Sequence, residues 1–283
     1  IERIMEDARQ LNSIPTLPER ATVRRPETGD FSPMNLAELD AEGLLARHDT
    51  KFLFPETHLP CLLAKLKPLC RILDIAGRRS FGYDSLYLDT PDRALFRAHH
   101  QGKVKRSKAR WRVYRDTGAC FFEVKYKASP EVTVKTRRES PDGPAATLDP
   151  FQRAMLGCLS ALPLQPVLWV RYDRITLMAL DHSAKFTIDT GLEFLGQGNS
   201  VSLAGLVVAE AKTHGPRPRG EIAAVLSALR ARPERFSKYC AGAIALVVRG
   251  QEIGAAIAVK IRKNRRRNHP QSRSEEHTSE LQS

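Results

Sequence analysis

The sequence predicts an α+β protein, in which antiparallel strands are accompanied by a few helices. Residues 104–114 and 119–127 alternate charged with small or apolar side chains, which is typical of strands with two unlike faces. Gly118 lies between them, and we therefore expect a hairpin. Leucine and isoleucine recur at helical spacing over residues 57–75, and Gly77 is a plausible stop for that helix.

The other elements follow from the same two periodicities. Five further strands are predicted, at residues 83–89, 132–138, 167–180, 185–189 and 207–212. Three further helices are predicted, at residues 1–11, 149–159 and 221–232, the last ended by Pro233.

Composition shifts divide the chain into four parts. Residues 1–35 are rich in Pro, Arg and Glu and are expected to be a flexible N-terminal segment, with the ordered domain at 36–250. Residues 251–272 form a basic tail that is either genuine or read-through from a frameshift. Residues 273–283 resemble the in-frame translation of a sequencing-library adapter, and we expect no function there.

The formal net charge of +13 at pH 7 points to an anionic partner: nucleic acid, anionic lipid or a phosphorylated small molecule. The 5 cysteines are widely spaced and form no C-x-x-C pair, so neither a disulfide framework nor a zinc site is indicated. We expect a cytoplasmic location. The apolar stretches are too short for a transmembrane segment.

Several familiar catalytic motifs are absent from the sequence. There is no G-x-x-x-x-G-K-[ST], and Gly196 and Gly198 are not followed by the third glycine of a dinucleotide fingerprint. Neither G-x-S-x-G nor H-E-x-x-H occurs. Nucleophilic catalysis and zinc-dependent hydrolysis therefore have no support.

Cations at alternate positions of the predicted strands are the strongest functional signal. In residues 106–114 the even positions are cationic up to Arg112, a row that repels itself unless anions neutralise it. One such face, taken singly, is an ordinary solvated strand face. Several together could close into a barrel with a basic interior, where Arg and Lys suit a row of phosphates and carboxylates suit Mg²⁺ or Mn²⁺.

Nine short motifs, read in order, resemble the VTC domain, which is the polyphosphate polymerase branch of the triphosphate tunnel metalloenzymes. The resemblance spans about residues 44–242. Its motifs are Arg47-x-Asp49-x-Lys51-Phe52, Ser85-Leu-Tyr-Leu-Asp89-Thr90, Lys108-x-Arg110-x-Arg112-x-Tyr114, Glu123-x-Lys125, Lys135-x-Arg137, Tyr172-x-Arg174, Thr187-Ile-Asp189, Glu210-x-Lys212 and Ser237-Lys238-Tyr239.

The resemblance implies an antiparallel eight-stranded β-tunnel with flanking helices that binds a triphosphate and a divalent metal. It assigns the metal, Mg²⁺ or Mn²⁺, to Glu210. The catalytic phosphate-binding cations are expected to be Arg110, Arg112, Lys125, Lys135, Arg174, Lys185 and Lys238. Further substrate-binding cations are expected to be Lys51, Arg137 and Lys212.

Two positions depart from the family pattern. Lys185 stands where the family usually has Arg, which keeps the charge and loses bidentate geometry. Asp49 stands where Glu is usual, and no role is assigned to it. Hydrolytic relatives carry E-x-E-x-K near the N-terminus, whereas this chain reads Arg47-x-Asp49-x-Lys51, which favours the polymerase branch.

The expected function is a metal-dependent transfer of the γ-phosphoryl group of ATP to a growing polyphosphate chain. A tripolyphosphatase or nucleoside triphosphatase in the same tunnel, and a non-catalytic sensor of polyphosphate or inositol phosphates, stay open as alternatives. Nucleic-acid binding is not expected, because aromatic residues interleaved with cations are sparse. A membrane-protein partner is compatible with the resemblance, since eukaryotic relatives belong to a membrane complex.

Overall fold

A computed structural model describes residues 14, 17–18, 26–41, 48–129, 132–196, 198–203, 205–215, 218–229 and 231–247. The predicted helix at residues 1–11, Arg47, and the tail segments 251–272 and 273–283 lie outside the described residues.

Strands make up most of the described chain. They are β1 (Ser32–Met34), β2 (His48–Pro55), β3 (Cys70–Leu73), β4 (Phe81–Asp89), β5 (Arg106–Tyr114), β6 (Cys120–Lys127), β7 (Thr133–Glu139), β8 (Gln165–Ala179), β9 (Ala184–Gly196), β10 (Asn199–Ser202) and β11 (Leu206–Thr213).

One sheet contains all of these strands. Its main path runs β2-β11-β9-β8-β4-β5-β6-β7, and every neighbouring pair on it is antiparallel. Within the described residues the edge strands β2 and β7 do not pair, so the sheet is not closed. The charges of Asp49 and Lys51 on β2 nevertheless act on Lys125 of β6, so side chains of these two strands, which lie far apart in the strand order, face the same interior. The predicted α+β class and antiparallel tunnel are therefore confirmed, with the seam between β2 and β7 left open.

Short helices flank this sheet. They are α1 (Leu36–Ala41), α2 (Leu59–Leu66), α3 (Ala94–His100), α4 (Pro150–Met155), α5 (Gly220–Ala228) and α6 (Lys238–Val247). Single 3₁₀ turns lie at Glu56–His58, Lys67–Leu69 and Gly157–Leu159.

The apolar faces of the strands point outward, beneath the helices. On β5 and β6, Trp111 and Phe122 are fully buried in a cluster that also contains Leu156, just after α4. On the other side of the molecule, Phe186 of β9 packs in a cluster with Leu62 of α2. Each such side chain contributes about 1.5–3 kcal/mol to folding. Successive side chains of a strand point to opposite faces of the sheet. Because the apolar face is buried beneath the helices, the charged face points inward.

Helix α6 covers the inner face at one end of the sheet. Its Tyr239 and Ala245 pack in one cluster with Leu168 of β8 and Phe194 of β9. Gly242 makes this approach possible, since a Cβ atom there would lie 2.5 Å from a ring carbon of Phe194. At the opposite end, near the β5–β6 turn, the ring contacts of Tyr114 and Phe121 within the described residues come from strands and not from α6.

The elements differ from the sequence prediction at several places. The predicted helix at residues 57–75 ends early: α2 gives way to a 3₁₀ turn and then to β3, which pairs with β8. Strand β1 lies inside the segment expected to be a flexible linker and pairs in parallel with β3, while Met34 is buried. Strands β2 and β10 and helices α1, α3 and α6 were not predicted as elements.

Candidate functional site

The inward face of the sheet carries charged residues from seven of the main-path strands. One register row joins Lys51, Glu210 and Thr187 across β2, β11 and β9, and the next joins Asp49, Lys212 and Lys185. Across the other half of the sheet, the rows are Arg110–Glu123–Arg137 and Lys108–Lys125–Lys135 on β5, β6 and β7. Residues in register share a face of the sheet, so these side chains surround one interior.

Every cation that the sequence analysis assigned to the site lies on this face or beside it. Arg112 precedes Tyr114 on the inward face of β5, and Arg174 of β8 pairs in register with Asp189 of β9. Lys238 is the first residue of α6 and reaches the same Asp189. The structure therefore gathers residues from distant parts of the chain into one basic interior.

Glu123 holds the arginines of β5 and β7. Its Oε2 accepts from Arg110 Nε at 2.8 Å and lies 2.6 Å from Arg110 Nη2. Its Oε1 lies 3.5 Å from Arg112 Nη1 and 3.9 Å from Arg137 Nε. Burial raises the pKa of Glu123, but the charges of Arg110 and Arg112 outweigh it, so the net pKa is lowered. Glu123 is therefore an ionised carboxylate that positions several guanidinium groups.

Asp189 has the same role for Arg174 and Lys238. Arg174 donates from Nε at 2.6 Å to Oδ1 and from Nη2 at 2.8 Å to Oδ2, a bidentate pair, and Lys238 Nζ donates to Oδ2 as well. Burial opposes ionisation, yet the two cations lower the pKa of Asp189 to about 2. Since Asp189 is only 2% exposed, its contacts are fixed within the protein.

Glu210 lies near the middle of the inward face. Its carboxylate oxygens are 3.4 Å from Lys51 Nζ and 3.4 Å from Lys212 Nζ. Burial raises its pKa, but the charges of Lys212 and Lys51 prevail and the net pKa lies well below the usual value. Beside it in register is Thr187, whose buried hydroxyl has no hydrogen-bond partner within the described chain.

The lysines are closely packed for groups of like charge. Burial and the charges of Lys125, Arg110 and Lys51 together lower the pKa of Lys108 to about 7, although Cys240 acts in the opposite direction. Burial and the charge of Lys135 lower the pKa of Lys125 to about 8. These amines would regain their charge next to an anion, so the interior favours a polyanionic ligand.

Tyrosines lie beneath the cations. The Tyr83 and Tyr172 rings are stacked with centroids 5.3 Å apart, and the Arg174 guanidinium lies 5.2 Å from the Tyr83 centroid. Lys238 Nζ lies 4.6 Å from the Tyr172 centroid. Cation–π contacts of this kind fix the cations without adding negative charge.

Sequence reasoning gave no role to Lys108, Asp189, Glu123 or the tyrosines, although most of them stand in the quoted motifs. Lys108, Glu123, Tyr172 and Asp189 share a signal in the sequence, because each lies at the same alternate positions as the predicted cations of its strand. Two further polar atoms of this face, Ser85 Oγ and Arg112 Nε, are buried without a partner in the described part of the molecule. Unsatisfied polar atoms in such a place are typical of a ligand site.

The model of the VTC domain family matches residues 46–148 and 153–247. This chain belongs to the VTC domain family. The matched residues of this VTC domain include all eight strands of the main path and α6. The resemblance to the VTC domain that the motifs indicated is thus confirmed.

Two solved structures are similar to this chain at low sequence identity. A candidate adenylate cyclase from Vibrio parahaemolyticus is 14% identical, with a TM-score of 0.40 over 67% of this chain and 94% of that chain. A candidate adenylyl cyclase from Hippeastrum, described as having a dominant triphosphatase activity, is 15% identical, with a TM-score of 0.42 over 70% of this chain and 95% of that chain. A search of curated proteins found no match.

Two negative findings concern the described residues of the VTC domain. No three His, Cys, Asp or Glu side chains cluster there as metal ligands. Every helix in those residues is too short or too polar to cross a lipid bilayer.

Proposed function

We propose that this VTC domain is a metal-dependent polyphosphate polymerase that transfers the γ-phosphoryl group of ATP to the end of a polyphosphate chain. The observation that carries the proposal is the inward face itself, where cations from β2, β5, β6, β7, β8, β9, β11 and α6 outnumber the carboxylates. Such an interior neutralises a run of phosphates longer than one nucleotide carries, which suits a polymer as well as a triphosphate.

Phosphoryl transfer needs positioning and charge stabilisation more than covalent chemistry. Arg110 and Arg174 would supply guanidinium donors to the phosphate oxygens, and their carboxylate partners Glu123 and Asp189 keep them in place. Arg112 would donate through its unpartnered Nε atom. The remaining cations of the site would neutralise flanking phosphates as point charges: Lys51, Lys125, Lys135, Arg137, Lys185, Lys212 and Lys238.

A divalent metal, Mg²⁺ or Mn²⁺, would be held by Glu210. The donor chemistry fits, because this carboxylate is ionised and the free Thr187 hydroxyl is its neighbour in register. A single protein carboxylate is enough when substrate phosphates complete the coordination sphere, which agrees with the lack of a three-ligand cluster in the described residues. When bound, the metal supplies charge neutralisation at phosphate oxygens.

The acceptor is proposed to be a phosphate because the carboxylates of the described site are weak bases. Glu123, Asp189 and Glu210 are each ion-paired, and their pKa values are lowered, which makes them poor proton acceptors. A terminal phosphate is already ionised and needs no deprotonation, whereas attacking water benefits from a base.

The test incubates the protein with ATP and either Mn²⁺ or Mg²⁺, with and without a short polyphosphate primer, and separates the products on a gel. Wild type should form long chains, and Glu210→Ala should form none. Glu221→Ala, an exposed change on α5, is the matched control and should behave as wild type. Orthophosphate as the sole product would instead support a triphosphatase, and ATP binding without turnover would support a sensor.

A further inference from the structure

Aromatic side chains collect at the end of the inward face that α6 does not cover. Tyr114 and Phe121 flank the turn between β5 and β6, and their rings meet edge to face at 5.7 Å. Tyr83 of β4 lies next to Tyr114, with ring centroids 4.9 Å apart. This end of the site therefore differs chemically from the lysine-rich rows farther along β5 and β6.

Arg137 of β7 extends this aromatic group. Its guanidinium carbon lies 3.5 Å from the Phe121 centroid and 5.4 Å from the Tyr114 centroid. Its Nη2 atom donates to the Tyr114 hydroxyl at 3.2 Å, and the side chain is still 47% exposed. A guanidinium that lies on a ring and remains half-exposed offers a flat, polarizable surface to a ligand.

This surface adjoins the proposed phosphate site. Phe121 is the register partner of Arg112, and Glu123 lies within ion-pair distance of both Arg137 and Arg112. A ligand whose phosphates lie along Arg110 and Arg112 would therefore bring any flat group at its end onto Tyr114, Phe121 and Arg137.

We propose that Tyr114, Phe121 and Arg137 form a stacking platform for the base of the nucleoside triphosphate. The inference rests on the proposed function and specifies its donor substrate. Bases stack on aromatic and guanidinium faces, which strengthens binding by about tenfold or more per base and tolerates different bases. Purine nucleotides should bind more tightly than pyrimidine nucleotides because a purine has the larger ring face, and inorganic tripolyphosphate should not benefit from the platform.

The chain contains its own control for this stacking. Arg138, the next residue of β7, points to the outer face and lies 4.0 Å from the centroid of Phe151. Arg138 and Phe151 form the same kind of cation–π contact as Arg137 and Phe121, but on the outer face. A substitution of Arg138 therefore tests whether the loss of any such contact weakens ATP binding.

The experiment measures dissociation constants for ATP and for inorganic tripolyphosphate by titration calorimetry. The variants are Arg137→Lys, which keeps the charge and loses the flat surface, Phe121→Leu, which keeps the apolar bulk, and the control Arg138→Lys. Both platform variants should weaken ATP binding by about tenfold and change tripolyphosphate binding less than about twofold. Arg138→Lys should leave both constants at their wild-type values.

An equal loss for both ligands would overturn the platform and make Arg137 a phosphate-binding cation alone. An unchanged ATP constant in both variants would also overturn it. The polymerase assay on wild type tests the proposed function separately. If wild type forms polyphosphate and the platform variants bind ATP as wild type does, only the stacking proposal is wrong. If the platform variants lose ATP binding selectively and wild type forms no polymer, the stacking proposal is supported and the polymerase proposal is wrong.

Discussion

Arg174 and Asp189 form a bidentate ion pair across β8 and β9, with N–O distances of 2.6 and 2.8 Å. Lys238, the first residue of α6, donates to the same carboxylate. Asp189 thus binds both a cation of strand β8 and a cation of helix α6, which lies much later in the sequence. The positions of Arg174 and Lys238 in the proposed phosphate site therefore depend on this buried carboxylate.

Replacing Asp189 with Asn should destabilise the fold. Removing one partner of a buried ion pair leaves uncompensated charge and typically costs about 3 kcal/mol. Tripolyphosphate should restore part of the loss, because its oxygens replace the missing carboxylate and it binds only the folded state. The free energy of unfolding, measured in urea with and without tripolyphosphate, checks this. The exposed Asp142→Asn is the control, and equal stability of Asp189→Asn and wild type would contradict the expectation.

The contribution of Asp189 should also depend on pH. Its pKa in the folded protein is lowered to about 2, against about 3.9 in an unfolded chain. A lowered carboxyl pKa stabilises the folded state above the unfolded pKa, and that stabilisation disappears as the pH falls toward the folded value. The stability difference between wild type and Asp189→Asn should therefore be constant above about pH 5 and shrink toward about pH 2. A difference that grew on acidification would be contrary to this assignment.

Polyanion binding should take up protons. The pKa of Lys108 is lowered to about 7 and that of Lys125 to about 8, by burial first and then by neighbouring cations. A bound polyanion raises both pKa values, so at about pH 8 binding draws protons from the buffer, and the affinity falls as the pH rises toward about 9. Calorimetry in two buffers of different ionisation enthalpy measures the uptake. Lys108→Met should reduce it, whereas heats that are independent of the buffer would refute the prediction.

Restoring the usual arginine at position 185 should strengthen phosphate binding. Lys185 lies in register with Lys212 on the inward face, and a guanidinium there can donate two parallel hydrogen bonds to one phosphate. Lys185→Arg should lower the dissociation constant for tripolyphosphate about three- to tenfold. Titration calorimetry checks it beside Lys65→Arg, an exposed change on α2. Weaker binding in Lys185→Arg would show that lysine is the better fit here.

Much of the sheet was predictable because its strands separate charge from apolar surface at every second residue. The predicted strands at 104–114 and 119–127 became β5 (Arg106–Tyr114) and β6 (Cys120–Lys127), within two residues of their predicted limits. Strand β3 (Cys70–Leu73) was missed because Cys70 and Ile72 continue the apolar spacing of the preceding helix, and only pairing with β8 decides its conformation.

The cations of the site were visible in the sequence, whereas their partners were not. Alternation places Arg174 and Asp189 on inward faces of their own strands, but which residues meet is set by register, including the irregularity between Arg171 and Asp173. The same holds for the stack of Arg137 on Phe121, since it needs the pairing of β6 with β7. Contacts across strands therefore had to come from the structure.

The central claim is that this VTC domain lengthens polyphosphate with phosphate from ATP. Its most direct test follows ATP, Mn²⁺ and a short polyphosphate primer by ³¹P nuclear magnetic resonance, comparing wild type with Glu210→Ala. The account predicts that wild type converts γ-phosphate signal into the signal of bridging phosphates within long chains, and that Glu210→Ala does not. Release of all γ-phosphate as orthophosphate by wild type, with the primer unchanged, would contradict it.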